Sequence, residues 1–280
     1  DLYHKNTTDL LAVVDIPAGA NFTNEILTNV GSMVNRGMEL ELSVVAVQKK
    51  DINVTVGANA TFNRNEITSL TAVPDSTSIG ILTGGVSGAG IGNNVQVHSV
   101  GFPTNSFYVF KQRYDESGAP VVEGTALERF EDLNGDSVIN ASDRYRYQKT
   151  APDLFLGFYG NITYKKWSAG FNLRSEIGRY VYNNVNSSRG YFNAIPTQGY
   201  MSNLNESWNT YGMVTSTTRQ VLSDLYVERA DFIRMDYINL NYDFGRIFND
   251  LMSLKVGAVV NNVFLITNYS GLDPEISGGI

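Results

Sequence analysis

The 280 residues contain no cysteine, two histidines and seven prolines, and only 18% of the side chains are charged. Without cysteine, disulfide frameworks, thiol catalysis and cysteine-ligated zinc are excluded. Basic residues are also scarce. Lys and Arg number 21 against 28 Asp and Glu, a net charge of −7, so the chain lacks the clustered cations that displace counterions from phosphates. No nucleic-acid partner is expected. No apolar run approaches the roughly 18 to 20 residues that a membrane-spanning helix needs. His4 and His98 lie far apart without a serine or cysteine partner, so no nucleophilic triad is assigned and no catalytic residue is named. Gly85-Val86-Ser87-Gly88-Ala89 narrowly misses a nucleophile elbow, and Gly88, Gly90 and Gly92 do not form a dinucleotide fingerprint.

What the sequence has in quantity is glycine (26), tyrosine (16), phenylalanine (14) and asparagine (29), arranged with period two. Alternate residues of an extended strand share a face. Ile52, Val54, Val56, Ala58, Ala60 and Phe62 alternate with Asn53, Thr55, Gly57, Asn59, Thr61 and Asn63. Met38, Leu40, Leu42, Val44 and Ala46 alternate with Glu39, Glu41, Ser43 and Val45, and Gln48-Lys49-Lys50-Asp51 joins the two segments as a hairpin. A second hairpin runs through Leu156, Phe158, Ile162 and Tyr164, turns at Lys165-Lys166, and returns through Trp167, Ala169, Phe171 and Leu173. A third pairs a segment carrying Ile238, Leu240, Tyr242 and Phe244 with one carrying Leu254, Val256, Ala258 and Val260. There Arg234 and Asp236 share the parity of the apolar set, which reads as a strand running past its apolar zone toward a long loop.

Connection lengths alternate as well: short at 48–51, 165–166 and 245–252, long at 15–32, 67–153 and 179–224. Short turns on one side and long loops on the other mark an antiparallel sheet crossing a layer, as in outer-membrane barrels, and tilted crossings need only about 9 to 11 residues. An outward strand before residue 67 and an inward one after 153 require an even number of crossings between them, most simply none. The pattern thus fits an all-β fold, an antiparallel transmembrane barrel portion with short turns and long loops. Alternation alone equally allows a soluble antiparallel sandwich, and with it a soluble binding module or adhesin. Phe62, Tyr164, Trp167, Tyr242 and Phe244, near the ends of apolar segments, fit interfacial girdles.

Several strings stand in order along the chain: residues 3–11, Asn29-Val30-Gly31 with Asn35-Arg36-Gly37-Met38-Glu39, Asp132-Leu133-Asn134-Gly135-Asp136, Pro152 and Gly157, Glu228-Arg229-Ala230-Asp231-Phe232-Ile233-Arg234-Met235, Asn262-Val263-Phe264, and Gly271-Leu272-Asp273-Pro274-Glu275. Together they resemble the C-terminal part of the barrel in the SusC/RagA family of TonB-dependent outer-membrane transporters, the chain supplying about seven strands. The resemblance implies a 22-stranded barrel in a Gram-negative outer membrane. It also implies TonB-driven import of glycan or peptide fragments and a SusD-like surface lipoprotein as lid, with residues 1–280 as one part of the barrel. Asp1-Leu2-Tyr3 reads as mid-strand and Gly278-Gly279-Ile280 closes no element, so a longer protein is expected, and seven strands with two free edges should not fold alone. The loops 67–153 and 179–224 are expected outside the cell. Tyr180, Tyr182, Asn183, Asn184, Tyr191 and Trp208 are the candidate contacts to substrate or lid, with packing of the loop against itself as the other reading.

One segment suggests a cation. Asp132, Asn134, Asp136, Asn140 and Asp143 occupy positions 1, 3, 5, 9 and 12 of a twelve-residue loop, and Val138 offers its carbonyl at position 7. That spacing wraps Ca²⁺ in six to eight oxygens. Two departures stand out: Ser137 replaces the usual turn glycine, and Asp143 is shorter than the usual bidentate glutamate. The other reading is an Asn-Gly turn in an acidic loop.

Overall fold

The computed structural model describes residues 1–15, 25–71, 78–86, 92–192, 195–196, 203–213, 215 and 217–275. Among these, seven long strands build one antiparallel sheet: β1 (Leu2–Asp15), β2 (Glu25–Lys49), β3 (Ile52–Ser69), β8 (Leu154–Tyr164), β9 (Trp167–Ile177), β12 (Phe232–Ile247) and β13 (Met252–Thr267), adjacent in that order. Between β3 and β8 lies a separate four-stranded sheet, β4 (Ile81–Gly85), β5 (Asn94–His98), β6 (Ser106–Phe110) and β7 (Arg144–Lys149). Between β9 and β12 lie the short pair β10 (Tyr180–Tyr182) and β11 (Val227–Arg229) and helices α2 (Asn184–Arg189), α3 (Ser207–Tyr211) and α4 (Thr218–Val221); α1 (Ala126–Arg129) sits between β6 and β7. No described helix is long and apolar enough to cross a membrane.

Register converts the alternation into two faces. Leu42 pairs with Ala58, Ala58 with Phe158 and Phe158 with Leu173. One level on, Val44, Val56, Gly160 and Phe171 align, followed by Ile238 and Val260. The opposite face aligns Ser43, Gly57, Tyr159 and Asn172, and next to it Glu41, Asn59, Gly157 and Arg174. Among the described residues no second layer covers the apolar face: Leu40 is 63% exposed, Leu42 61% and Val256 53%. A sandwich formed among the described residues would bury these side chains, and none is formed. From Ile52 to Phe62 the apolar stretch spans about 33 Å along the strand at ~3.3 Å per residue, or about 25 Å vertically at a ~40° tilt, the height of a barrel's lipid-facing band.

The parity of Arg234 has a different cause from overrun. Met235 pairs with Leu173 but Tyr237 pairs with Asn172, so Asp236 is a bulge residue and every side chain before it changes face. Arg234 consequently pairs with Arg174 on the hydrophilic face. On the other side β13 carries its own irregularity, with Asn262 at φ +51°.

The buried core lies away from the sheet. Val86, Val95, Phe107, Val109, Phe110, Phe130, Ile139, Val221, Leu222 and Val227 form one cluster, drawn from both long connections. Phe110 N–H donates to the Leu222 carbonyl (2.8 Å), Phe110 bridges Ser223, and Arg219 donates to the Ile139 carbonyl (3.0 Å). The described residues between β3 and β8 and those between β9 and β12 thus fold together into one loop subdomain.

Candidate functional site: a two-faced wall with a clamped loop subdomain

All three short turns, at 50–51, 165–166 and 248–251, lie at one end of the sheet, and the long connections lie at the other. At the turn end the rings gather on the apolar face. Trp167 and Tyr242 have centroids 4.7 Å apart, as do Tyr242 and Phe244, with Tyr164 beside Trp167 in register. Phe62 stands at the other end of the apolar stretch. These are the positions the sequence suggested for girdles.

At the loop end, on the hydrophilic face, charges converge. Arg174 donates through Nε to Asp236 (2.7 Å) and through its terminal nitrogens to Glu275. Arg234 makes a two-oxygen pair with Asp273 (2.7 and 2.8 Å), and its Nε lies 2.8 Å from Glu275. The Asp273-Pro274-Glu275 string is therefore held onto the wall by two arginines that the Asp236 bulge brings to one face. Burial pushes the Asp273 carboxyl up, but the Arg234 bonds, the Glu275 N–H and the charges of Arg234 and Arg174 together outweigh it and hold the group below the ordinary 3.8.

The 228–231 string anchors the loops. Glu228 accepts from Asn183 Nδ2 (2.9 Å), from Ser270 Oγ (2.9 Å) and from Ser270 N–H (2.9 Å). Asp231 Oδ1 accepts from Gly178 N–H (2.7 Å) and Arg179 N–H (3.2 Å). Inside the subdomain, buried Gln112 donates to the carbonyls of Val121 (2.7 Å) and Arg129 (3.1 Å) and accepts from Gln220 (2.9 Å). Asp224 accepts from Gln112 N–H (2.9 Å) and Tyr145 O–H (2.7 Å); burial raises its pKa despite both bonds. Tyr114, more than half exposed but desolvated at its hydroxyl and beside Asp224, is pushed up to about 12. His98 is an ordinary packed residue: its Nδ1 accepts from Asn105 N–H (3.2 Å), and burial lowers its pKa.

The six candidate contact residues divide. Asn183 is 1% exposed, and its amide is committed to Glu228, Ser270 and the first turn of α2. Tyr182 donates to the Val221 carbonyl (2.6 Å) and meets Tyr226 edge-on, Tyr180 packs on the core and on Tyr147, and Tyr191 packs on the Met213–Tyr226 cluster. Asn184 begins α2 and its carbonyl accepts from Ser187 and Ser188. Trp208 remains open to solvent and pairs with exposed Phe192 (centroids 6.5 Å apart). Five of the six thus bond or pack within the loops, and the exposed aromatic pair includes Phe192, which was not among the six.

The 132–143 loop takes the turn that a cation loop needs. Ser137 adopts φ +63° where glycine is usual, and Asp132 accepts from Gly135 N–H (2.7 Å) and Ser137 N–H (2.7 Å), bonds that lower its pKa. Asn134 accepts from Asp136 N–H (3.0 Å), Asp136 from Val138 N–H (2.8 Å) and Asn140 from Ser142 N–H (2.9 Å). Asp143 is wholly buried, accepting from Leu133 (3.0 Å) and Asn140 (2.8 Å). Among the described residues no three His, Cys, Asp or Glu side chains gather as a metal set. The backbone fits a cation loop, whereas its carboxylates are turned to amides.

This two-faced, edge-open sheet is part of a β-barrel wall. No protein-family model matches the chain. The TonB-dependent receptor SusC of Bacteroides thetaiotaomicron is 36% identical over the whole chain, and two TonB-dependent receptors of Formosa agariphila are each 27% identical over nearly all of it. Structures of the RagAB peptide transporter and of the RagAB peptide importer in its open-open state superpose over 99% of the chain, with TM-scores of 0.67 and 0.68 at 23% and 22% identity. The chain belongs to the SusC/RagA family of TonB-dependent outer-membrane receptors. It spans 28% of the length of SusC and about 30% of the superposed chains.

Several of the family strings have physical explanations. Tyr3 lies across Gly37 and donates to Asn63 Oδ1 (3.0 Å); a Cβ on Gly37 would meet the Tyr3 hydroxyl oxygen at 2.2 Å and the Phe62 carbonyl oxygen at 2.5 Å. The 228–235 and 271–275 strings meet in the charge and hydrogen-bond network described above.

Proposed function

We propose that this chain forms part of the wall and outer loops of a transporter that imports glycan or peptide fragments across a Gram-negative outer membrane. TonB-derived energy drives it, and a SusD-like surface lipoprotein serves as its lid. In this reading the apolar face meets lipid, the hydrophilic face lines the lumen, the short turns face the periplasm and the loop subdomain faces outward. The single observation that carries it is the uncovered apolar face, continuous from β2 to β13 and about as tall as a bilayer's hydrocarbon band. The test is import by the full-length protein: cells whose loop subdomain is uncoupled from the wall by Glu228→Ala should assemble the barrel but lose uptake of the native nutrient. Unchanged uptake would refute the assigned role of the loops.

For the 132–143 loop the same reading adds Ca²⁺ as a structural ion held by Asp132, Asn134, Asp136, the Val138 carbonyl, Asn140 and Asp143. The spacing and the left-handed Ser137 support it. Calorimetry of the full-length protein should detect one saturable Ca²⁺ site that Asp132→Ala abolishes; no heat in millimolar calcium would remove the ion from the account.

A further inference from the structure

At the turn end, two adjacent turns present four ammonium groups. Lys49 and Lys50 stand at the β2–β3 turn and Lys165 and Lys166 form the β8–β9 turn. A backbone bond ties these turns together, Lys165 N–H donating to the Asp51 carbonyl (2.7 Å), and the Lys166 carbonyl accepts from Asp243 N–H of β12 (2.8 Å). Neighbouring strands lie about 4.8 Å apart, so the four stems emerge within one small area. All four side chains are exposed, and none takes part in an ion pair among the described residues. Arg246 and Lys255 add to them at the β12–β13 hairpin, against Asp51, Asp243 and Asp250, so this end is net basic in a chain of net charge −7.

Directly below, on the apolar face, stand Tyr164, Trp167, Tyr242 and Phe244, with Val256 level with Tyr242, and below those the aliphatic residues Leu240 and Ala258. Trp167, Tyr242, Phe244, Leu240 and Val256 line an open groove there. Lys165 Nζ lies 5.5 Å from the Tyr164 ring centre, so this ammonium group adjoins the first of the rings. The vertical order is thus cation, amphipathic ring, aliphatic groove. A glycerophospholipid has the matching order of phosphate, ester and acyl chain. Ordinary girdles need only the rings; four uncompensated lysines beside them select for negative headgroups.

We propose that this end of the wall is a binding site for an anionic glycerophospholipid, with Lys49, Lys50, Lys165 and Lys166 on the headgroup phosphates and Trp167 and Tyr242 against the upper acyl chain. The site rests on the membrane orientation given under Proposed function. It anchors the barrel's depth at the short-turn side.

The experiment uses full-length transporter in mild detergent, titrated with dioleoyl phosphatidylglycerol or dioleoyl phosphatidylcholine and read by native mass spectrometry. Wild type should retain phosphatidylglycerol in clear preference. The variant carrying Lys49→Gln, Lys50→Gln, Lys165→Gln and Lys166→Gln should lose about tenfold or more of that retention. A control carrying Lys5→Gln and Lys111→Gln should not. Equal binding of the two lipids by wild type, or full retention by the quadruple variant, overturns the proposal. Should the quadruple variant fail to assemble, wild-type retention in low and high salt decides: preference that survives 0.5 M salt unchanged is not made by exposed lysines. Failure of the transporter reading looks different, since wild type would then form no heat-resistant barrel or import nothing, whereas failure here leaves an assembled, importing barrel without lipid preference.

Discussion

Leu42→Arg tests the assignment of faces most sharply when compared with Ser43→Arg. Leu42 is 61% exposed and sits near mid-height of the apolar stretch, in register with Ala58 and Phe158, while Ser43 is its neighbour on the opposite face, in register with Gly57 and Tyr159. Near the bilayer midplane a lipid-facing arginine costs about 2 to 4 kcal/mol. At 1.36 kcal/mol per decade this is about 30- to 900-fold in the folding equilibrium. The same residue in a watery lumen costs within about 0.5 kcal/mol. Guanidinium titration of the full-length protein refolded into phospholipid vesicles should show a lower midpoint for Leu42→Arg and a near-native one for Ser43→Arg. Equal effects of the two would refute the argument, because one residue of register is the only difference between them.

The clamp on the 271–275 string gives a second test: Arg234→Ala should cost about 1 to 3 kcal/mol and raise hydrogen exchange around Asp273, and unchanged exchange there would dismiss the clamp. Because Asp273 titrates below its ordinary 3.8, its contribution is fully present above that value and is lost as the pH falls through the depressed one, so wild type should loosen in acid and Arg234→Ala should show a weaker acid dependence. Gly37→Val should displace the Tyr3 ring and slow barrel assembly, read by the heat-modifiable gel shift; normal assembly would mean that the close approach is unimportant. Asp224→Ala should leave Gln112 N–H and Tyr145 O–H without their partner and destabilise the loop subdomain by about 1 to 3 kcal/mol, with the sheet's exchange unchanged; equal loss in both regions would deny the subdomain its independence.

The wall was legible because one periodicity controls it. Alternation at 38–46, 52–62 and 156–173 fixes the face of each residue, and the lysine-bearing turns fix the hairpins. The parity of Arg234 misled because a bulge is one extra residue with no strong local signature; only the paired strand reveals that Asp236 is the supernumerary one. The loop subdomain was partly announced by apolar runs that do not alternate. Phe107-Tyr108-Val109-Phe110 and Val221-Leu222 are buried throughout, as unbroken apolar segments tend to be. What no local pattern gave is that these two runs, more than a hundred residues apart, share one core. Residue type leaves the contacts open: Tyr and Asn serve stacking and hydrogen bonding equally inside a fold and on its surface. Asn183, committed to Glu228 and Ser270, was therefore indistinguishable by sequence from Trp208, which faces solvent.

The most direct measurement is spin-label accessibility along β3 of the full-length protein in vesicles, with single cysteines introduced from residue 53 to residue 61 in a cysteine-free background. Labels at 54, 56, 58 and 60 should be relaxed by membrane-dissolved oxygen, and those at 53, 55, 59 and 61 by a water-soluble nickel chelate. A profile without period two, or with the two quenchers exchanged, would contradict the claim that one face of this sheet lies in lipid and the other in water.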